Sequence, residues 1–280
     1  MSQRVFSADW PGYELIDAGG GEKLERWGDI ITIRPDINAY FKPELSKKDW
    51  LAKAHFQFSE QKGVFGSWKT LANAPLSWQI PYKDLVFQLH LKGTKHTGIF
   101  PEQAINWEKI NLSSGPEVSF LNLFAYSGIS SLVALSKGAH VVHVDSSKTA
   151  LTWAKENFTN NLFSGGKLVN EDAVLFMQRE IKRNHKYHII QMDPPAWGVG
   201  THGKKWQIEN QLDLLIQMAG ALLTENGILI VTTYSPKITA VNLREFGEFV
   251  FPNKTNQTGI LSTKSTTGKT LEHGNLLLVS

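Results

Sequence analysis

The sequence predicts an α/β fold: a Rossmann-like, doubly wound and mostly parallel sheet that ends in an antiparallel hairpin, with a smaller β-rich N-terminal domain. Residues 13–91 hold short apolar stretches separated by Gly, Pro and Asn, whereas apolar and amphipathic segments alternate beyond residue 115. Such alternation is typical of a parallel sheet covered on both faces. We therefore place the β-rich domain at residues 1–112 and the doubly wound domain at residues 113–280.

The N-terminal half is expected to form strands and hairpins at residues 13–16, 30–33, 78–80 and 85–91. The three glycines at positions 19–21 are interpreted as a hairpin turn. They do not predict a phosphate-binding loop, because neither Lys-Ser nor Lys-Thr follows them.

The doubly wound domain is predicted to contain five strands, each followed by a helix. The strands are expected at residues 118–124, 140–144, 167–169, 187–192 and 227–233. The helices are expected at residues 128–136, 147–158, 173–183, 207–223 and 238–246. Residues 259–263 and 275–279 are joined by a connection too short for a parallel crossover, so they are expected to form an antiparallel pair.

Composition excludes several classes of function. The chain has 280 residues, a formal net charge of +3 and no cysteine, which excludes disulfides, thiolate metal sites and cysteine nucleophiles. The small positive charge permits a polyanionic partner without requiring one. No apolar run approaches the roughly 18 residues of a spanning helix, and no secretory signal is expected from the N-terminal residues. We therefore expect a cytoplasmic protein without membrane contact.

Histidine pairs do not predict a metal site. His140 and His143 lie three residues apart on a predicted strand, so their side chains point to opposite faces. His185 and His188 straddle the end of a helix and the start of a strand. Neither pair can chelate, and no metal ion is expected.

The loop after the first predicted strand suggests the cofactor. In a doubly wound sheet, ligands bind outside the carboxyl ends of the strands. Here this position holds Ala125-Tyr126-Ser127-Gly128, with a single glycine. Dinucleotide-binding turns carry three glycines because their backbone approaches a pyrophosphate. S-adenosylmethionine (SAM) has no phosphate, so the turn favours SAM, with NAD as the alternative.

Acidic residues follow the second and third predicted strands. Asp145 can accept hydrogen bonds from both ribose hydroxyls; its alternative role is a helix N-cap or an acid of the first helical turn. Asp172 suits an adenine contact, in which it faces the exocyclic amine and the small Ala173 leaves room for the ring. An N-cap is the alternative for Asp172.

The segment Asp193-Pro194-Pro195-Ala196-Trp197 after the fourth predicted strand suggests the methyl acceptor. Consecutive prolines cannot continue a central strand and restrict the backbone, so the neighbouring carbonyls are held rigidly. Asp193 and the Pro194 carbonyl can accept the two hydrogens of a planar amine and aim its nitrogen at the methyl group. Trp197 can stack on the ring, at about 1–3 kcal/mol per base. A core or lid aromatic is the alternative for Trp197.

Two basic segments are candidates for phosphate contacts. Residues 179–186 are interpreted first as a solvated helix end whose cations complement the helix dipole. Lys204 and Lys205 follow Trp197 and lie where an acceptor would enter, so they are expected either to contact phosphates or to be exposed to solvent.

Six motifs resemble those of bacterial class I SAM-dependent methyltransferases. They are YELIDAG (13–19), KLER (23–26), TGIFPEQ (97–103), NLFAYSG (122–128), HVDSS (143–147) and DPPAW (193–197). They are most similar to the methyltransferases related to the 23S ribosomal RNA large-subunit enzymes. The resemblance extends from residue 13 to the end of the chain.

The resemblance implies SAM as the cofactor. It implies cofactor contacts from Phe124, Tyr126, Gly128, Asp145, Ser146, Asp172 and Asp193. It also implies that residues 97–103 lie against the methionine end of SAM, where Glu102 or Gln103 would hold the amino group. An RNA-binding PUA module, which some relatives carry, is not expected in this chain. Relatives that methylate C5 of cytosine use a cysteine to attack C6, and this chain has no cysteine.

The leading prediction is direct transfer of the SAM methyl group to a nitrogen, on a base of ribosomal RNA and not at C5 of cytosine. Asp193, Pro194 and Trp197 are the predicted catalytic residues, and RNA is the predicted partner. The alternatives are a methyltransferase for a small molecule or protein side chain, a SAM-binding or RNA-binding module without turnover, and an NAD-dependent oxidoreductase.

Overall fold

The computed structural model describes residues 3–62, 65–199 and 205–280. They form two compact units. One unit holds Phe6–Ala104 and Ser262–His273; the other holds Ile105–Leu261, Gly274–Ser280 and the N-terminal residues up to Val5. The predicted domain division at residue 112 stays a prediction.

The first part of the chain consists mainly of strands. Its elements are β1 (Arg4–Phe6), β2 (Tyr13–Gly19), β3 (Glu22–Trp27), β4 (Ile30–Pro35), α1 (Lys47–Lys53), β5 (Phe56–Lys62), β6 (Phe65–Thr70), β7 (Ser77–Tyr82) and β8 (Leu85–His90). Strands β2 to β6 form one sheet in chain order, and β7 and β8 form a separate hairpin. Because β2 ends at Gly19 and β3 begins at Glu22, the predicted glycine hairpin turn is confirmed.

A buried ion pair lies between β3 and β4. The Arg34 Nε and Nη2 atoms donate to the two carboxylate oxygens of Glu25 at 2.6 and 2.8 Å, and the Tyr13 hydroxyl donates to Glu25 at 3.0 Å. Lys23 Nζ lies 3.5 Å from Glu25 and 3.1 Å from Asp36. Burial acts to raise the pKa of Glu25, but the charges of Arg34 and Lys23 hold it below its usual value. This charge network stabilises the sheet only while both partners are present.

The second part of the chain alternates helices and strands. Its elements are α2 (Ala104–Ser113), β9 (Ser119–Leu123), α3 (Ile129–Ser136), β10 (His140–Asp145), α4 (Lys148–Asn160), β11 (Lys167–Asn170), α5 (Ala173–Lys182), β12 (Tyr187–Met192), β13 (Trp197–Val199), β14 (Lys205–Gln207), α6 (Leu212–Leu222), β15 (Leu223–Thr233), α7 (Ala240–Val250), β16 (Asn256–Lys264) and β17 (Thr270–Val279).

The large sheet has the strand order β1-β16-β17-β15-β12-β9-β10-β11. Strands β15, β12, β9, β10 and β11 are parallel, and β17 is antiparallel to β15. The predicted doubly wound, mostly parallel sheet with an antiparallel end is therefore confirmed. Buried side chains such as Leu121, Val144 and Met192 form one face of this sheet and pack with Phe176 of α5 and Leu215 of α6.

The predicted helix at residues 207–223 is wrong at its start. Gln207 is the last residue of β14, a short 3₁₀ turn follows at Ile208–Asn210, and α6 begins only at Leu212. The three-residue strands β13 and β14 are too short to produce a recognisable alternation of apolar and polar residues. Strand β15 also begins earlier than predicted, at Leu223.

Among the residues that the structure describes, no helix is both long enough and apolar enough to span a membrane.

Candidate active site

The loop after β9 has an unusual backbone. Phe124 and Tyr126 have φ angles of 55° and 48°, in the left-handed region that non-glycine residues rarely adopt. Gly128 has a φ angle of 82° and is the N-cap of α3. A Cβ atom on Gly128 would lie 2.9 Å from the Cβ of Ala154 on α4, so glycine allows the loop to approach α4. Strained backbone of this kind clusters at functional sites.

Asp145 ends β10 and binds the backbone of two loops. Its Oδ2 accepts from Tyr126 N at 2.9 Å, and its Oδ1 accepts from Ser147 N at 2.8 Å. Ser147 is the N-cap of α4, so the N-cap alternative for Asp145 is wrong. Burial raises the pKa of Asp145, and the two backbone donors act in the opposite direction. Because each carboxylate oxygen has two acceptor sites, Asp145 keeps the capacity to bind ribose hydroxyls.

Asp172 is the N-cap of α5. Its Oδ1 accepts from Val174 N at 3.0 Å and from Leu175 N at 3.2 Å. The alternative role predicted for Asp172 is therefore observed. Within the described residues no hydrogen bond reaches its Oδ2, so the cap leaves one oxygen for a further contact. Ala173 is buried as the first residue of α5.

Asn170 was not recognised from the sequence. Its Nδ2 donates to the backbone carbonyls of Asp145 at 3.1 Å and of Ser146 at 2.9 Å. Ser146, a predicted cofactor contact, is exposed in this turn. An asparagine at the end of a strand is a common feature of loops, so the sequence contained no specific signal for this role.

Buried polar side chains lie beneath the loop after β9. Asn122, His143 and Gln191 are neighbours in register on β9, β10 and β12. Asn122 Nδ2 donates to Ser131 Oγ at 2.9 Å, and Ser131 Oγ lies 3.0 Å from His143 Nδ1. Burial lowers the pKa of His143 to about 3, against the opposite effect of the Tyr126 backbone. The imidazole is therefore neutral at physiological pH.

Asp193 and the two prolines follow β12. Thr232 Oγ1 on β15 donates to Asp193 Oδ1 at 2.6 Å. The Pro195 carbonyl accepts from Trp206 Nε1 at 2.6 Å. Pro194 is buried, and no donor among the described residues reaches its carbonyl. Asp193 and the Pro194 carbonyl thus provide acceptor groups at the carboxyl end of the sheet.

The hairpin of β13 and β14 follows the prolines. Trp197 is 69% exposed, so the core alternative for this residue is wrong. Trp197 pairs with Gln207, and Lys205 lies two residues from Gln207 on the same face of the hairpin. Lys205 and Gln207 are also exposed, whereas Lys204 lies outside the described residues.

Glu102 and Gln103 belong to a different unit from the residues above. They lie in a 3₁₀ turn at Pro101–Gln103 and are 5% and 4% exposed. Their role at the methionine end of SAM stays a prediction.

The basic segment at residues 179–186 is tied into ion pairs. Arg179 lies 2.5 Å from Glu171, and Arg183 and His185 lie 3.0 and 2.7 Å from Glu180. These contacts agree with the interpretation as a charged helix end. No group of three or more His, Asp or Glu residues in the described ranges could hold a metal ion.

The residues around the loop after β9 fit SAM. Asp145 offers carboxylate oxygens for hydroxyl groups, and the aromatic rings of Tyr126 and Trp153 lie 5.7 Å apart beside it. Gly128 is the single glycine of this turn, whereas binding of a pyrophosphate requires repeated close approach of the backbone. These features fit a nucleoside cofactor that has no phosphate, as is the case for SAM.

The fold and the site define a class I SAM-dependent methyltransferase, and comparison with solved structures agrees. A SAM-dependent methyltransferase from Agrobacterium tumefaciens is 31% identical with a TM-score of 0.93, over 99% of this chain and 93% of that chain. Residues 102–258 match the family described as Conserved hypothetical protein 95. This chain belongs to that family and is a SAM-dependent methyltransferase. Of the predicted alternatives, the NAD-dependent oxidoreductase is thereby wrong.

Curated relatives are larger proteins. The Ribosomal RNA large subunit methyltransferase K/L of Shewanella oneidensis is 34% identical over 261 residues, which are 84% of this chain and 34% of that protein. The protein of the same name from Pseudoalteromonas atlantica is 24% identical over 262 residues, again covering 34% of its length. This chain thus spans about one third of the length of these relatives. A structure described as a methyltransferase complexed with S-adenosylhomocysteine (SAH) shares the fold, at 17% identity and a TM-score of 0.75.

Proposed function

We propose that this protein transfers the methyl group of SAM directly to a nitrogen of a base in ribosomal RNA, and not to C5 of cytosine. The proposal depends chiefly on the acceptor groups of Asp193 and the Pro194 carbonyl at the end of β12. The lone pair of an exocyclic amine is delocalised into the ring, so the amine is a poor nucleophile. Holding its nitrogen in the correct position then supplies much of the catalysis.

Asp193 has two tasks in this proposal. Thr232 orients the carboxylate through Oδ1, and the two oxygens of a carboxylate together have about four acceptor sites. These sites and the Pro194 carbonyl accept the two N–H groups of the amine. When the nitrogen bonds to the methyl carbon of SAM, it becomes positively charged and therefore acidic. Asp193 can then take the proton that the nitrogen releases.

The cofactor site would use the loops after β9, β10 and β11. When bound, SAM supplies a methyl group activated by its sulfonium. Asp145 accepts from the ribose hydroxyls, Asp172 accepts from the adenine amine through Oδ2, and Ala173 leaves room for the ring. The remaining proposed contacts are Glu102, Gln103, Phe124, Tyr126, Gly128, Ser146 and Asp193.

Two observations support RNA as the substrate. The curated relatives are named ribosomal RNA large subunit methyltransferases. In addition, Trp197, Lys205 and Gln207 share an exposed face, where an aromatic ring can stack on a base and a lysine can contact a phosphate. C5 of cytosine is excluded from the proposal because methylation at that carbon uses a cysteine nucleophile that attacks C6, and the chain has no cysteine.

The substrate is tested with the purified full chain, SAM labelled in its methyl group, and unmodified large-subunit ribosomal RNA. Digestion to nucleosides followed by mass spectrometry identifies the methylated atom. A base methylated at nitrogen is the expected product. A C-methylated base, or label on a small molecule or protein in place of RNA, would contradict the proposal, and SAH binding without any turnover would favour the non-catalytic alternative.

The role of Asp193 is tested by Asp193→Asn. We expect kcat to fall at least about 100-fold, as for loss of a group that takes a proton. SAH affinity, measured by calorimetry, is expected to fall by no more than about tenfold, because Asn keeps the size of the side chain and one acceptor oxygen for the cofactor contact implied for Asp193. Asp213→Asn, at an exposed position of α6, is the control and should leave both values unchanged. Undiminished methyl transfer by Asp193→Asn would make the proposed amine geometry wrong.

A further inference from the structure

Trp206 contacts both the loop after β9 and the segment that follows β12. It lies on β14 opposite Gly198 of β13 and belongs to none of the motifs recognised in the sequence. Side chains alternate between the two faces of a hairpin, so Trp206 faces away from the side that exposes Trp197, Lys205 and Gln207. Its ring is partly buried against the large apolar core.

The first contact of Trp206 is polar. Its Nε1–H donates to the Pro195 carbonyl at 2.6 Å, and the next backbone bond, from Ile208 N to the Ala196 carbonyl, is 3.1 Å long. Proline has no N–H group, so Pro194 and Pro195 can be held only through their carbonyls and ring packing. Their φ angles are already restricted, and a bond to the Pro195 carbonyl restrains the remaining ψ rotation. Trp206 therefore limits the backbone freedom of the segment that carries the Pro194 carbonyl.

The second contact of Trp206 is apolar. Its ring centroid lies 5.4 Å from that of Phe124, with the planes inclined at 50°. Phe124 is the first residue after β9 and has a left-handed backbone. A ring packed against Phe124 resists relaxation of this strained residue. One side chain thus touches the beginning of the cofactor loop and the carbonyl next to the acceptor group.

We propose that Trp206 is a positioning residue that couples the cofactor loop at residues 124–128 to the acceptor segment at residues 193–197. The inference rests on the proposed function for the roles of these two segments. The Nε1–H group sets the position of the acceptor segment, and the ring supports the cofactor loop. Removing each part separately should therefore affect different measured quantities.

Two variants separate the contacts. Trp206→Phe keeps an aromatic ring near Phe124 and removes the donor to Pro195. Its kcat is expected to fall by about 100-fold, because small displacements of reacting groups can lower the rate by this factor. The Kd for SAH is expected to stay within about twofold. Trp206→Leu removes the ring as well and is expected to weaken SAH binding about tenfold in addition. Trp197→Phe, on the opposite face of the same hairpin, is the matched control and should leave SAH binding unchanged.

Hydrogen exchange provides a readout that needs no turnover. SAH binding is expected to slow exchange in peptides that cover residues 193–197 of the wild-type protein, and this protection should be lost in Trp206→Phe. Equal protection in both proteins would overturn the coupling. A kcat of Trp206→Phe equal to that of the wild type would also overturn the coupling. A fall in kcat accompanied by equally large losses of SAH affinity and thermal stability would overturn it as well, because it would indicate a general structural role.

The coupling by Trp206 can be tested even if the proposed methyl acceptor is wrong. If the wild-type protein methylates a different acceptor, the nitrogen and RNA assignments fail. The ratio of kcat between wild type and Trp206→Phe on that acceptor still tests the coupling. The exchange experiment uses SAH alone and applies whatever the acceptor is.

Discussion

The backbone N–H of Tyr126 donates to Asp145 Oδ2 across 2.9 Å, so the end of β10 holds the loop that follows β9. Tyr126 has a φ angle of 48°, and a residue in such a conformation stores about 1–3 kcal/mol of strain. The carboxylate of Asp145 therefore stabilises a strained loop and, in the proposed function, binds the ribose of SAM.

We expect Asp145→Asn to weaken SAH binding by about 10- to 100-fold, because a hydrogen bond to a charged group contributes about 1.5–3 kcal/mol. The side-chain amide of the new Asn also places its NH2 group opposite the backbone N–H of either Tyr126 or Ser147, so one of these two hydrogen bonds is lost. Calorimetry with SAH measures this effect, with Asp213→Asn as the control. An unchanged affinity would exclude Asp145 from the cofactor site.

Gly128→Ala is expected to destabilise the protein by about 3 kcal/mol, from the left-handed backbone and from crowding. The new Cβ would lie 2.9 Å from the Cβ of Ala154. Gly268→Ala is the control, because Gly268 has a φ angle of 92° but, apart from its chain neighbours, no atom of the described residues lies within 4 Å of a built Cβ. It should cost only about 1 kcal/mol. Urea unfolding of both variants measures the difference, and equal losses would show that packing against Ala154 is unimportant.

Arg34→Met is expected to destabilise the protein by about 3–5 kcal/mol, because it leaves the charge of Glu25 buried without its main partner. Arg26→Met removes a pair in which Arg26 and Glu14 are each 31% exposed, and it should cost less than about 1 kcal/mol.

Thermal and urea unfolding compare these two arginine variants. The double variant Glu25→Leu/Arg34→Met should recover part of the loss, since it removes both charges together. If Arg34→Met cost no more than Arg26→Met, the buried pair would not contribute as described.

His143 is expected to make the protein sensitive to acid. Burial lowers its pKa to about 3 in the folded protein, whereas the unfolded chain has a histidine pKa of about 6.5. Above pH 6.5 both states are neutral and His143 has no effect on pH dependence. As the pH falls from about 6.5 toward 3, only the unfolded state binds the proton, so stability falls by about 1 kcal/mol per pH unit.

Urea unfolding between pH 8 and pH 4.5 tests this dependence. His143→Asn removes the titrating group, so its stability should fall less steeply than that of the wild type over the acid half of this range. His140→Asn is the control, because it makes the same substitution at an exposed position of the same strand. Identical slopes for wild type and His143→Asn would contradict the role given to burial.

Much of the fold follows from local sequence patterns. Apolar runs and helical periodicity predict the order and type of the five strand–helix units, although not the starts of α6 and β15, because buried strands and amphipathic helices each leave a continuous pattern. The glycine turn at Gly19–Gly21 was predictable from turn chemistry, and the pairing of β16 with β17 from the short connection between them. Asp145 was a candidate because its position directly follows a strand.

Other features depend on contacts between distant segments. Asn170 and Trp206 each bind backbone carbonyls of other loops, and neither residue type is unusual in a loop or short strand. Asp172 could be recognised as acidic, but its N-cap geometry depends on the backbone of α5. The prediction that a helix starts at Gln207 was wrong because β14 gains its hydrogen bonds from β13 and not from its own neighbours.

The order and type of the five strand–helix units were thus encoded locally, in apolar periodicity and in the chemistry of turns, and so was the choice of SAM over NAD. The contact between Trp206 and Phe124 was not encoded locally. It requires β12 and β9 to be adjacent in the sheet and the hairpin of β13 and β14 to fold back over their carboxyl ends. Hydrogen-bond pairing between strands sets this arrangement, and pairing between distant segments leaves no periodic signal in a single sequence.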